Sequence, residues 1–125
     1  MSENEPKTLT RQKVSAMLLE VADGYIQMGK DLLQRQNYLR GAVTAWNIAC
    51  LPNYKRDHAI ANLVKQFKKF NPTITLENTR NFEQDIRQLI KQKDALYPEI
   101  KIQILDCRID LIENKEHVSV VFHSQ

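Results

Sequence analysis

No glycine follows Gly41 in this chain, and the three that it has, Gly24, Gly29 and Gly41, lie close together with its only tryptophan, Trp46. Folds built from many tight turns need residues that accept left-handed backbone, and glycine is the usual supplier. Three glycines and four prolines in 125 residues therefore argue for long helices, with the tightest packing between Gly24 and Tyr54.

A chain of 125 residues is long enough to bury about two-thirds of its unfolded surface without metal or disulfide, and 42% hydrophobic with 26% charged residues is an ordinary globular balance. The expected organisation is a disordered leader at residues 1–7, MSENEPK, followed by a single helical domain over 8–125. No apolar run reaches the ~20 residues that a membrane span needs, and the first residues are acidic where a signal peptide is basic and then apolar. A cytoplasmic protein with no membrane contact is the expectation. Cys50 and Cys107 are far apart and form no CxxC, which fits two small buried hydrophobes in a reducing compartment.

Thr8 or Thr10 offers a cap for a first helix, and Val14, Met17, Leu18, Val21, Ala22, Tyr25, Met28 and Leu32 recur at offsets of three and four, which predicts a helix to about Gln36. Gly24 and Gly29 then fall inside it, and a close neighbour is expected at one of them. Asn37 caps a second helix whose face is Ala42, Ala45, Trp46 and Ala49, ending before Pro52. The short connection makes the two an antiparallel hairpin with Tyr38 and Trp46 folded over the first helix. A third helix covers about Tyr54 to Phe70, with Ile60, Leu63, Val64, Phe67 and Phe70 apolar, and Asn71-Pro72 ends it. A fourth runs from about Leu76 to Leu96 on Phe82, Ile86, Leu89, Ile90 and Leu96.

Beyond Pro98 two patterns compete. Ile102, Leu105, Ile109 and Ile112 have helical spacing, while Ile100, Ile102 and Ile104 alternate, and ENKEH lies before the β-like Val118 to Phe122. The fold class expected is all-α, a small bundle of four or five antiparallel helices, with a C-terminal β-hairpin and an α+β fold as the alternative.

Within the first two helices, Tyr25, Met28, Gly29, Leu32, Ala42, Trp46 and Pro52 follow the spacing W-x2-L-G-x2-Y…A-x3-F…P. The stretch Gly24 to Tyr54 thus resembles one tetratricopeptide repeat. That resemblance implies a helix–turn–helix unit in which Gly29 admits the partner helix, and a role in binding peptides or proteins. No second copy is convincing: Val64 stands where the next glycine belongs, so a single unit inside a bundle fits better than a solenoid.

Catalytic patterns are not apparent. His58, His117 and His123 have no His or Cys one helical turn away, Asp106, Asp110 and Glu113 read as a solvated face beside Arg108, and no Gly-rich phosphate loop occurs. The expectation is a non-enzyme without cofactor or metal. A partner surface is assigned to Lys30, Leu33 and Gln34, facing an unidentified protein or peptide. Exposed apolar residues such as Leu33, Leu39 and the C-terminal tail add an expectation of self-association. Lys55, Arg56, Lys65, Lys68 and Lys69 against Asp57 give the third helix a net charge of +4 within a chain of +3. Nucleic-acid binding through Lys65, Lys68 and Lys69 ranks second, since the aromatic side chains nearby, Phe67 and Phe70, are assigned to the core.

Overall fold

The computed structural model describes residues 9–123, so the expected leader at 1–7 lies outside the described residues. Four helices are followed by two strands: α1 (Arg11–Ile26), α2 (Leu32–Ala49), α3 (Asn53–Phe70), α4 (Leu76–Leu96), β1 (Ile104–Ile112) and β2 (Lys115–Phe122). The fold is α+β, and the all-α expectation is corrected.

Thr10 caps α1 as expected, its hydroxyl accepting from the Lys13 amide at 3.1 Å. The helix then stops at Ile26, ten residues earlier than periodicity suggests. Asp31 is the reason: its carboxylate accepts from the Gln34 amide at 2.8 Å and starts α2 at Leu32, placing Asn37 inside that helix and not at its cap. Gly29 sits in the loop 27–31, where a β-carbon would come within 2.5 Å of the Arg35 backbone nitrogen; nothing lies within 4 Å of one at Gly24. The expected close neighbour is therefore real and belongs to the first turn of α2. Tyr25, Met28, Gly29 and Leu32, the first-helix positions of the tetratricopeptide spacing, are divided among α1, the loop and α2.

The centre of the molecule is α2, which packs against α1, α3, α4 and β1. Leu39, Ala42, Val43, Ala45, Trp46, Ile48 and Ala49 are all buried and wrap more than half of its circumference, which is why it lacks a single apolar stripe. Leu39 is fully buried, against the expectation of exposure. Tyr38 meets Tyr25 of α1 edge-to-face at 4.9 Å, as expected. Trp46 faces α4 and the linker after it: its indole N–H donates to the Ile102 carbonyl at 2.8 Å, and Lys93 lies 4.9 Å from its ring centre.

The boundaries of α3 and α4 agree with the sequence reading to within a residue. Their packing is lopsided, because Ile60 is the only buried residue of α3. Phe67 stacks flat on Phe82 of α4 at 3.9 Å, while Phe70, expected on the apolar side, is 79% exposed. Arg56 locks the base of this pair: it holds Asp94 of α4 through two hydrogen bonds, 2.6 and 3.0 Å, and donates to the Ala49 and Leu51 carbonyls at the end of α2.

The fifth helix expected from Pro98 is replaced by an antiparallel hairpin joined through Glu113 and Asn114, both at positive φ (53° and 66°). That backbone matches the right-handed twist of the strands in a two-residue turn. Ile104, Cys107 and Ile109 of β1 and Val120 of β2 face the helices; a bulge between Ile104 and Asp106 turns Leu105 and Asp106 outward together. β1 lies along α2 and β2 along α1.

Candidate interaction surface

An edge strand exposes unpaired amides and carbonyls, and α2 supplies partners for those of β1. The Asn47 amide accepts from Ile104 N–H at 2.7 Å and donates to Ile104 C=O at 2.9 Å; Gln36, three turns earlier on the same side, accepts from Ile109 N–H at 2.7 Å and donates to Cys107 C=O at 3.2 Å. These contacts fix the hairpin lengthwise on α2, so that its turn reaches the α1–α2 loop.

Arg35 and Glu116 close that end. The Arg35 guanidinium forks onto the Glu116 carboxylate, with Nε donating at 2.8 and 2.9 Å and Nη2 pairing as well, and Nη1 donates to the Gly29 carbonyl at 3.1 Å. The pairing holds the Glu116 carboxyl below its ordinary range and raises the guanidinium further. Gly29 lacks a β-carbon because this arginine's backbone and stem occupy the space. One clamp thus joins the loop, the start of α2 and the start of β2.

Around the clamp stand exposed apolar side chains. Met28 is 54% exposed, Leu33 71%, Leu111 58% and Ile112 54%. Leu33 lies in the same first turn of α2 as Arg35 but about 200° around the helix from it, and Leu111 pairs with Glu116 while Ile112 points to the other face of the hairpin, so their segments share one end of the molecule while the side chains point in different directions. Of the partner residues expected from sequence, Leu33 is free to make contacts. Gln34 is occupied within the fold, because its side chain accepts from the Lys30 amide at 2.8 Å and steadies the turn into α2. Met28, Leu111 and Ile112 were missed, because periodicity placed Met28 and Ile112 on buried helix faces. No family model, curated protein or solved structure matches this chain.

Lys65, Lys68 and Lys69 are exposed on α3, far along the chain from the clamp. Asp106 and Asp110 lie with Arg108 on the outer face of β1, on a strand and not on the helix face considered from sequence; Arg108 pairs with Asp110 at 2.9 Å, and Glu113 lies apart in the turn. Among the described residues no three His, Cys, Asp or Glu side chains are grouped to hold a metal, and no helix is long and apolar enough to cross a membrane.

Two perturbed sites are structural. Lys93 is fully buried, its ammonium donating to the Tyr97 and Ile100 carbonyls at 2.7 and 2.5 Å, and desolvation lowers its pKa. It secures the chain leaving α4, and its signal was present in the sequence: position 93 continues the stripe of Ile86, Leu89 and Ile90. In the shallow depression between α1 and α4, burial and nearby Asp85 push the Tyr25 phenol up, and burial raises Asp85. No nucleophile or oxyanion donor converges with them.

Proposed function

We propose that this chain is a non-catalytic protein-interaction domain whose docking end comprises the α1–α2 loop, the first turn of α2 and the hairpin turn. The observation that carries the reading is the Arg35–Glu116 clamp, which joins the segments that expose Met28, Leu33, Leu111 and Ile112. Apolar side chains exposed on ordered segments, with exposed polar residues such as Lys30, Glu113 and Lys115 nearby in the chain, suit a surface covered by another polypeptide. The tetratricopeptide resemblance implies peptide binding, but its first-helix positions are divided among α1, the loop and α2, so the reading rests on the exposed end. The partner is an apolar-faced protein segment, and a second copy of this chain meets the same description.

Leu33→Asp and Ile112→Asp test it. Each should leave the far-UV circular dichroism and unfolding midpoint unchanged while abolishing capture of partners recovered with the wild-type chain. Light scattering on the same variants separates self-association from a foreign partner. Capture that survives both substitutions would remove the docking end from the proposal.

A further inference from the structure

The solvent side of α3 carries a second, chemically different surface. With Ile60, Leu63, Val64 and Phe67 toward the body, 100° per residue places Tyr54, Lys55, His58, Lys65 and Lys69 on the opposite side and Lys68 on its flank, and all six are exposed. They extend over about 22 Å at 1.5 Å per residue. The one acid of the helix, Asp57, is paired with Arg87 at 3.2 Å, and among the described residues no carboxylate forms an ion pair with Lys55, Lys65, Lys68 or Lys69. The track is therefore positive without internal neutralisation.

Exposed aromatic rings stand near both ends of the helix: Tyr54 on this side, with the Lys55 ammonium 5.8 Å from its ring centre, and Phe70 around the flank at the last turn. Tyr54 is 80% exposed and Phe70 79% exposed, in contrast to Phe67, which is committed to Phe82. Cations along the helix with exposed rings near its two ends supply the two elements of single-strand recognition, backbone neutralisation and base stacking. We propose that the exposed surface of α3 binds single-stranded nucleic acid, with Lys55, Lys65, Lys68 and Lys69 against phosphates and Tyr54 and Phe70 against bases. A duplex hides its base faces from such rings. A bilayer touching Phe70 at the helix end would leave Tyr54 unused about 24 Å away along the helix, so the track favours a linear polyanion.

Fluorescence anisotropy of a labelled 20-nucleotide oligo-dT with the full chain tests the assignment. Saturable binding is expected, with log K falling against log salt at a slope of about −3 for four lysines. K65Q/K68Q/K69Q should weaken binding at least tenfold and make the slope shallower by about 2. Tyr54→Ala and Phe70→Ala should each weaken it about tenfold with the slope unchanged, which general attraction to a polyanion would not produce. Leu33→Asp should have no effect, separating this surface from the docking end. Absence of saturable binding at low salt, full affinity in the triple variant, indifference to both aromatic substitutions, equal affinity for a duplex of the same length, or preferential binding to phosphatidylserine vesicles would each overturn the proposal. Circular dichroism of every variant confirms that the exposed substitutions leave the fold intact.

Discussion

The side-chain amide of Asn47 makes both hydrogen bonds that the backbone of Ile104 directs away from β2, accepting from its N–H and donating to its C=O. Ile104 is 3% exposed, so water cannot take over either contact. Asn47→Ala leaves a buried donor and acceptor unpaired at about 1–3 kcal/mol each, and a loss of at least about 2 kcal/mol in urea unfolding is expected. Faster amide exchange at Ile104 and Ile109 should accompany it, because Gln36 alone then holds the strand.

Gly29 and Gly24 should respond oppositely to alanine. At Gly29 the new carbon meets Arg35 backbone atoms at 2.5 and 2.8 Å, so the loop must shift at a cost of about 1–3 kcal/mol. At Gly24, inside α1 with no neighbour within 4 Å, alanine removes unfolded-state entropy and should add about 0.5–1 kcal/mol. Thermal unfolding of the two single variants checks both signs.

Glu113 occupies left-handed backbone that a side chain of its type disfavours, and Asn114 tolerates it better. The replacement of Glu113-Asn114 by Asn-Gly should stabilise the hairpin by about 1 kcal/mol, measured as a shift in the urea midpoint.

Lys93 gives stability an alkaline signature. Its folded pKa lies below the ordinary 10.5, so between the two values the unfolded chain binds more protons and stability rises with pH. Below the folded value the contribution is flat. Cys50 and Cys107 act in the opposite sense, since burial raises them above 9.0 and the unfolded thiols ionise first. Comparing wild type with Lys93→Met removes that shared background: the stability difference should move in favour of wild type as pH approaches 10.5, and a pH-independent difference would contradict the burial of a titrating lysine.

The acid range reports the clamp. Arg35 holds Glu116 below 4.5, so its contribution is present above that value and disappears as pH falls through the depressed one. Glu116→Gln should flatten the acid limb of the stability profile relative to wild type and raise exchange at the start of β2.

The sequence by itself determined the helices whose signals are local: the Thr10 cap, the apolar stripes of α3 and α4, and the stop at Asn71-Pro72 depend on neighbours within a turn or two. It also marked Gly29 as a place of close approach and Leu33 as exposed. The end of α1 is not legible there, because Tyr25, Met28 and Leu32 keep helical spacing across a loop and only the competing Asp31 cap breaks it. Tertiary structure decided the rest. Residues 104–112 suit helix and strand alike; they are a strand because VSVVF pairs with them on one edge and Asn47 and Gln36, 57 and 73 residues from their contacts, satisfy the other. Phe70 has the period of a core residue but no element beneath it, so it stands in solvent beside Lys68 and Lys69. The docking end has the same origin: the α1–α2 loop and the hairpin turn are brought to one end by Arg35 and Glu116, 81 residues apart, a distance over which no periodic pattern carries information.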